Sequence, residues 1–340
     1  MNLLNIGPYV FNTSLTWYSV FVLTGALLTY VITEFLYKKD PESKKCPDLI
    51  LNTFLIAFPA GLVGARIWYV LSEWKYYYSD PINILKVWEG GLAIQGGVML
   101  GAMVGIFYVY HTIRRFGLNL KVTKIMDMAI PNILIAQVVG RWGNFFNREV
   151  YGACVDHLYA LKNWWMLPNW LVEYMRGGVV SGLYVSCPVT KYAQPLFLYE
   201  GILNFIGFVL ISIVVRKFFT KRVDGTLNGL YLIWYGSVRA CLEGLRNEEF
   251  IMRWGNLSQS MITSIFFIFV GFAYISYLYT NHFLNKQKLI ELNEIKVENK
   301  EVSNPNEVVE VSEKKVDNQG KKTSRTSKTT STRKNIGDKK

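Results

Sequence analysis

The chain has 340 residues, of which 51% are hydrophobic and only 18% are charged, and its mean hydropathy is +0.18. These values exclude an ordinary water-soluble domain as the whole of the chain. The 10 Trp, 21 Tyr and 20 Phe fit a protein that places aromatic rings at the two membrane interfaces.

Seven apolar segments are long enough to cross about 30 Å of hydrocarbon as helices. In chain order they are Trp17–Tyr37, Leu49–Leu71, Leu92–His111, Ile125–Trp142, Pro195–Val215, Leu227–Leu245 and Ser260–Phe283. The predicted fold class is therefore an all-α integral membrane protein with about seven transmembrane helices.

Basic residues predict the orientation of these segments. Residues 1–37 contain no Lys or Arg, so the first segment lacks the positive region of a cleaved signal peptide. The sequence KKDPESKK follows it, which places the N-terminus outside and the first loop in the cytoplasm. Alternation then makes residues 112–124 and 216–226 cytoplasmic, and both are basic. The net charge of +12 is thus mostly a matter of membrane topology, and no nucleic acid is expected as a partner.

Two regions lie outside the predicted bundle of residues 1–284. An insertion at about 143–194 is expected on the outer membrane surface. Its Cys154 and Cys187 are compatible with a disulfide on the oxidising side, although two free thiols are favoured. Residues 285–340 are expected to form a charged, largely disordered cytoplasmic tail, in which 285–313 can continue the last helix briefly and the basic stretch 314–340 contacts anionic membrane lipids.

Close helix packing is predicted for the third segment. Gly97, Gly101 and Gly105 follow a small-xxx-small pattern, which allows another helix to approach closely. There is no clean inverted repeat between the two halves of the chain, which weakens a transporter interpretation.

Ionisable groups inside membrane segments are costly and each needs a reason. They are Glu34, Arg66, Asp127, Arg141, Glu200, Arg239 and Glu243, with Glu149 and Arg246 just beyond segment ends. In the predicted topology most of them lie toward the outer leaflet.

Arg239, Glu243 and Arg246 share one helix face, so Glu243 can pair with either arginine. By itself this pattern fits a structural ion-pair ladder between helices. A second arginine, Arg141, lies at a similar depth on another segment, and two arginines at one depth can hold a phosphate. The phosphate available there is a phospholipid headgroup.

The stretch GRWGNFFNREVYG, residues 140–152, carries the densest polarity. It resembles the signature of the prolipoprotein diacylglyceryl transferases, bacterial membrane enzymes, which can be written G-R-x-G-N-F-x-N-x-E-x-x-G. Every fixed position matches. Further matching elements, in chain order, are WYS at 17–19, GAR at 64–66, WEGGLAIQGG at 88–97, LYEG at 198–201, WYGSVRACLEGLR at 234–246 and LSQSMITS at 257–264. The resemblance covers about residues 9–283.

The resemblance implies an enzyme of the bacterial plasma (inner) membrane with its active site toward the outer leaflet. Such an enzyme moves the sn-1,2-diacylglyceryl group of phosphatidylglycerol to the lipobox cysteine thiol of a prolipoprotein signal peptide and releases glycerol 1-phosphate. This is the first step of bacterial lipoprotein maturation.

The resemblance also implies roles by position. Phosphatidylglycerol binding is expected of Arg141, Asn144, Gly152, Arg246 and Tyr235. Catalytic roles are expected of Arg239, Glu243, Gln95, Tyr18 and Glu149. Our hypothesis is that Arg141 and Arg239 clamp the phosphate while Glu243 and Glu149 orient them.

Gln95 departs from the family, whose well-studied members carry histidine at this position and others tyrosine. A glutamine cannot take a proton at physiological pH. Three alternatives stay open: a base elsewhere (Tyr18, Tyr235 or Glu149), a thiol pKa lowered by the arginines alone, or a purely positioning role for Gln95.

Other classes of function fit the sequence less well. A transporter or channel for an anionic solute would place its arginines near the membrane midplane, and a non-catalytic lipid-binding scaffold would release no glycerol phosphate. The histidines, His111, His157 and His282, are scattered, so neither a metal nor a cofactor is expected.

Overall fold

The computed structural model describes residues 16–86, 90–147, 150–156, 190–248 and 257–303, with single positions 10, 175, 188, 251, 253 and 254. Ten α-helices fall in these residues. They are α1 (Trp17–Lys38), α2 (Leu49–Ser72), α3 (Trp74–Ser79), α4 (Ile94–Arg115), α5 (Val122–Ala129), α6 (Ile133–Asn147), α7 (Leu196–Phe208), α8 (Arg216–Phe218), α9 (Thr226–Glu243) and α10 (Gln259–Ser303).

Shorter elements join or extend these helices. The 3₁₀ turns are Pro41–Lys44, Pro81–Leu85 and Ile130–Asn132, and a π-helical segment, Val209–Val215, joins α7 to α8. The strands form two antiparallel pairs: β1 (Cys154–Val155) with β2 (Tyr192–Ala193), and β3 (Arg253–Trp254) with β4 (Leu257–Ser258). The predicted all-α membrane class is confirmed.

Six helical stretches in the described part of the chain are long and apolar enough to cross a membrane. They are Trp17–Lys38, Leu49–Ser72, Ile94–Arg115, Val122–Asn147, Leu196–Phe218 and Gln259–Lys296. Each coincides with a predicted span. The remaining predicted span, Leu227–Leu245, coincides with helix α9, which is not among the six. The number of seven spans and the outside location of the N-terminus stay predictions.

Helices α2 and α4 pack closely through glycines, as the spacing of Gly97, Gly101 and Gly105 predicted. A Cβ atom on Gly97 would lie 3.2 Å from the carbonyl oxygen of Gly61, and one on Gly101 would lie 3.1 Å from that of Ala57. A Cβ on Gly96 would overlap the carbonyl oxygen of Gly64. The two backbones therefore touch along this seam.

Helix α9 begins where a carboxylate from another helix caps it. Gly225 precedes the helix with a φ of 102° and has no side chain to accept its first amides. The buried Asp127 of α5 accepts from the backbone N–H of Gly225 at 2.8 Å and of Asn228 at 3.1 Å. An anion is favourable at this end of a helix dipole. This contact accounts for one of the ionisable residues inside the predicted spans.

Arg66 is explained in a similar way. Its buried guanidinium donates to five backbone carbonyls of the segment that leads into α4. The acceptors are the carbonyls of Asn83, Ile84, Lys86, Gly90 and Gly91. Arg66 therefore fixes this connection to α2.

The insertion after α6 is described only near its base, where the β1–β2 pair closes it. Cys154 in β1 is disulfide-bonded, so the expectation of a free thiol there is wrong. Cys187 lies outside the described residues, as does most of the segment predicted to lie on the membrane surface.

The chain divides into two compact units, Met1–Leu278 and Tyr279–Lys340. All the residues of the candidate site that the structure describes belong to the first unit. In the second unit the described residues are helical as far as Ser303, so residues 285–303 of the predicted tail continue the last helix, and residues 304–340 lie outside the described part of the chain. The predicted boundary near residue 284 stays a prediction.

Candidate active site

One buried carboxylate connects three helices at the centre of the candidate site. Glu200 of α7 is 3% exposed. Its Oε1 accepts from Nη2 of Arg141 on α6, and its Oε2 accepts from Nη1 of Arg239 on α9 at 3.3 Å. We call Arg141, Glu200 and Arg239 the central triad. Three segments far apart in sequence thus meet through charge pairs.

The net charge of the central triad favours the binding of an anion. A buried carboxylate is strongly unfavourable unless it is paired and hydrogen-bonded, and two guanidiniums satisfy Glu200. The three groups together carry one net positive charge. The arginine side chains keep 20% (Arg141) and 17% (Arg239) of their surface accessible. They can therefore donate further hydrogen bonds to a negatively charged ligand.

Each arginine of the triad has a second polar contact. Nη1 of Arg141 donates to Oδ1 of Asn144 at 3.4 Å, one turn along the same helix. Nη2 of Arg239 donates to Oγ of Ser260 at 3.1 Å, at the start of α10. These contacts limit the rotamers of both guanidiniums, which keeps their donors in fixed directions.

Glu243 lies in a second ion pair beside the triad. It is 6% exposed, accepts from the hydroxyl of Ser258, and has its Oε2 3.7 Å from Nη1 of Arg246. The carboxylate in contact with both Arg141 and Arg239 is Glu200, whereas the sequence hypothesis gave the orienting role to Glu243 and Glu149. Glu149 lies outside the described residues.

Arg246 follows α9 in a partly buried position. Burial of its guanidinium, and secondly the positive charge of Arg239, lower the pKa of Arg246 below its ordinary value. An anion bound nearby would offset both effects, so Arg246 is placed to favour one.

Gly152 ties the end of the signature stretch to Arg246. The two residues form an isolated antiparallel bridge, and the N–H of Ala153 donates to the carbonyl of Leu245 at 2.8 Å. A Cβ on Gly152 would lie 2.6 Å from the Leu245 carbonyl oxygen and 2.7 Å from Cβ of Gln194. Only glycine fits this close approach without a shift of the backbone.

Tyr18 packs against Gly143, a second glycine of the same stretch. A Cβ on Gly143 would lie 2.8 Å from Cδ2 of Tyr18, so α1 and α6 touch beside Trp142 and Asn144. Trp17 stacks on Phe146 at 5.5 Å between ring centroids. The start of α1 is thereby held against the same turn of α6 that carries Arg141.

Tyr235 lies one helical turn before Arg239 on α9. Its ring stacks on that of Tyr231 with 6.0 Å between centroids, and it contacts Phe267 of α10 at 5.8 Å. The hydroxyl of Tyr231 accepts from Nε2 of Gln137, which is one turn before Arg141 on α6. A polar and aromatic layer thus lies next to the triad along both helices.

Gln95 is separate from these contacts. It lies in the first turn of α4, where its side chain is exposed and makes no hydrogen bond among the described residues. The helix that carries it packs on α2. The structure therefore joins Arg141 to Arg239 and Gly152 to Arg246, and does not bring Gln95 to either pair.

Glu200 is the residue whose role the sequence reasoning missed. It was noted as an ionisable group within a span and as part of the LYEG element, but it was given no role. The available signal is the cost of burying a carboxylate, since a lone carboxylate in a span requires a cationic partner, and the sequence places Arg141 and Arg239 at similar depth.

Comparison with known proteins identifies the group to which this arrangement belongs. The sequence profile of the prolipoprotein diacylglyceryl transferases matches residues 6–277. The chain belongs to this family.

Named relatives agree with this membership. The phosphatidylglycerol–prolipoprotein diacylglyceryl transferase of Streptococcus equi subsp. equi is 36% identical over 273 residues, which cover 79% of this chain and 94% of the relative. That of Streptococcus pneumoniae is 36% identical over 274 residues (81% and 92%), and that of Streptococcus sanguinis is 35% identical over 277 residues (81% and 94%). The described part of the transferase fold thus includes the central triad, the Glu243–Arg246 pair and the bridge at Gly152.

Proposed function

We propose that the protein transfers the sn-1,2-diacylglyceryl group of phosphatidylglycerol to the lipobox cysteine thiol of prolipoproteins and releases glycerol 1-phosphate. The family and the named relatives support the reaction. The observation in this chain that carries the assignment is the central triad, in which two partly accessible guanidiniums are held by one buried carboxylate.

The chemistry requires a positive site for phosphate. The cysteine sulfur attacks the glyceryl carbon, a C–S bond forms, and the C–O bond to the phosphate breaks with its electron pair on oxygen. The leaving phosphate gains negative charge, and preorganised donors that are aimed at developing charge lower the barrier. Arg141 and Arg239 supply such donors, and Arg246 supplies a third cation close by.

Glu200 acts as a positioning residue in this proposal. It holds both guanidiniums in place without making the site neutral, so the arginines need not reorganise when the phosphate arrives. Glu243 has the equivalent relation to Arg246, and Gly152 places the backbone of Arg246. Asn144 supports Arg141 through its side-chain oxygen.

The thiol proton must also leave during the reaction. The thiolate is the attacking form, and nearby positive charge lowers the pKa of a cysteine thiol. The cationic site itself therefore favours the thiolate. Tyr18, Tyr235 and Glu149 are the candidates for accepting the proton, and we propose that Gln95 positions a substrate from its exposed place on α4.

The location of the reaction follows from the predicted topology. We propose that the protein is a multi-pass protein of the bacterial plasma membrane and that the triad faces the outer leaflet. The basic loops predict that the other ends of the stretches Val122–Asn147 and Leu196–Phe218 lie in the cytoplasm. A transporter for an anionic solute is not favoured, since the family consists of transferases.

The test uses purified protein in vesicles of phosphatidylglycerol with a lipobox peptide, and mass spectrometry of the peptide. A diacylglyceryl mass gain on the cysteine is expected. Arg141→Ala and Arg239→Ala should each lower the rate by about 10²–10³-fold, because each removes a preorganised donor. Arg115→Ala is the matched control, as it removes an exposed guanidinium at the far end of α4. Near-normal transfer by either triad variant would contradict the proposed clamp.

A further inference from the structure

A cationic pocket lies at the opposite end of the two helical stretches, Val122–Asn147 and Leu196–Phe218, that carry Arg141 and Glu200. It is a cavity of about 170 Å³. Its walls are Lys124, Asp127, Met128, Arg216, Thr220, Arg222 and Asp224. Lys124 precedes Arg141 by 17 residues, and Arg216 follows Glu200 by 16. At about 1.5 Å per helical residue the pocket is roughly 24 Å from the triad.

The charges around this pocket are only partly balanced. Lys124 pairs with Asp40 at 2.5 Å, and Lys121 lies 3.8 Å from Asp224. The carboxylate of Asp127 is occupied by the backbone N–H groups at the start of α9. The two positive charges of Arg216 and Arg222 are then offset only by the single negative charge of Asp127.

Both guanidiniums are held by backbone carbonyls. Nη2 of Arg216 donates to the carbonyl of Asp127 at 2.6 Å and its Nε donates to that of Ser212 at 3.0 Å. Nη1 of Arg222 donates to the carbonyls of Phe219 at 2.9 Å and Arg216 at 3.2 Å. Neutral carbonyls fix the direction of these cations without cancelling their charge.

One residue that lines the pocket has a buried donor without a hydrogen bond in the described part of the chain. The donor is Nε of Arg222. A buried N–H group without an acceptor is unfavourable, more so when the group is charged. An anion in the pocket would relieve the repulsion between the guanidiniums of Arg216 and Arg222, both of which line it. Fixed guanidiniums are the donors that phosphate groups prefer in proteins.

We propose that this pocket binds the phosphate group of an anionic ligand on the membrane side opposite the reaction. An anionic phospholipid headgroup is the source that the surroundings favour. Phe218 and Phe219 are 70% and 62% exposed immediately before Thr220, and Lys217 lies over the ring of Phe218. Apolar rings beside a cationic pocket at the end of a spanning helix would lie against acyl chains while the headgroup enters the pocket. A free phosphate has the same chemistry and is the other source.

The test counts lipids on the full-length protein by native mass spectrometry during titration with dioleoyl phosphatidylglycerol. Thr220→Glu places a carboxylate at an exposed position of the wall and removes no described side-chain contact, so it should fold. Arg222→Gln removes the unpaired donor. Each should weaken one lipid-binding equilibrium by about 10-fold, while Arg115→Gln, which removes an exposed charge that does not line the pocket, should leave it unchanged.

A second measurement separates the two sources. Inorganic phosphate is added to detergent-solubilised protein, and the melting temperature of wild type and Thr220→Glu is compared. If phosphate raised the melting temperature of wild type but not of Thr220→Glu, while Thr220→Glu bound lipid as wild type does, the ligand would be a free phosphate. Unchanged lipid binding together with unchanged response to phosphate in Thr220→Glu would overturn the proposal. Peptide lipidation by Thr220→Glu should equal that of wild type, because the pocket is independent of the triad.

Discussion

Glu200 and Arg239 form a buried ion pair between helices α7 and α9, with 3.3 Å between Oε2 and Nη1. The other oxygen of the same carboxylate contacts Arg141. The distance between the two arginines is therefore set by one side chain. A phosphate that bridges them meets donors whose separation is already fixed, which is the condition for efficient stabilisation of developing charge.

Glu200→Gln tests this positioning role. The amide keeps the shape of the side chain but cannot accept from two guanidiniums as a carboxylate does, so Arg141 and Arg239 should move apart. We expect the maximal transfer rate to fall by about 10²-fold, as for other small misplacements of reacting groups. The KM for phosphatidylglycerol should not rise, because the site becomes more positive. Steady-state peptide lipidation over a range of lipid fractions measures both quantities.

The comparison with Glu243→Gln completes this test. Glu243 contacts Arg246 and Ser258 rather than both arginines of the triad, so its loss should reduce the rate less than the loss of Glu200. If Glu200→Gln lipidated peptide at the wild-type rate, or raised KM with an unchanged maximal rate, Glu200 would have no positioning role.

Much of the fold could be predicted because the membrane imposes simple rules. Apolar length predicted the six helical stretches that are long enough to cross a membrane, and small-residue spacing predicted that another helix approaches α4 closely at Gly97 and Gly101. The structure shows that this helix is α2. The disulfide at Cys154 could not be predicted, since spacing alone does not determine the distance between two cysteines. The explanations of Arg66 and Asp127 also required the structure, because their partners are backbone groups, which the sequence does not distinguish.

The candidate site was predictable to the extent that burial cost marks its residues. Arg141 and Arg239 stood out as cations in apolar segments, and the structure joins them. Their common partner could not be identified from spacing, because the i, i+4 rule favours Glu243 on the same helix over Glu200 on another. Interhelical pairs depend on how the helices pack, and periodicity carries no information about that.

Gly152→Ala should separate the signature stretch from Arg246. Its Cβ would lie 2.6 Å from the carbonyl oxygen of Leu245, so the backbone bridge must open or shift. We expect a loss of about 1–3 kcal/mol in stability, typical of overpacking, together with reduced transfer. Thermal unfolding in detergent and the peptide assay measure the two effects.

Gly244→Ala is the matched control for this change. It lies between Glu243 and Arg246 in sequence, but a Cβ there would meet no atom within 4 Å. It should retain stability and activity near those of wild type. Equal behaviour of the two variants would mean that the close approach at Gly152 is not required.

Asp127→Ala should weaken the start of helix α9. The substitution removes the carboxylate that accepts from Gly225 and Asn228, leaving two buried N–H groups without a partner. Loss of a helix cap costs about 1–2 kcal/mol, and the melting temperature should fall accordingly. Asp224→Asn serves as the control, since this partly exposed carboxylate is 3.8 Å from Lys121 and such pairs contribute at most about 1 kcal/mol. A larger loss in Asp224→Asn than in Asp127→Ala would refute the capping role.

Alanine substitutions along the α2–α4 seam should lower the stability of the protein by different amounts. A Cβ on Gly96 would overlap the backbone of Gly64, whereas one on Gly105 would lie 3.3 Å from the side chain of Ala57. Backbone cannot yield as a side chain can, so Gly96→Ala should lower the stability in detergent by about 1–3 kcal/mol and Gly105→Ala by less.

Because α4 also carries Gln95, a shift of this helix would change the position of that side chain. If Gln95 positions a substrate, Gly96→Ala should lower transfer more than its loss of folded protein explains, and Gly105→Ala should not.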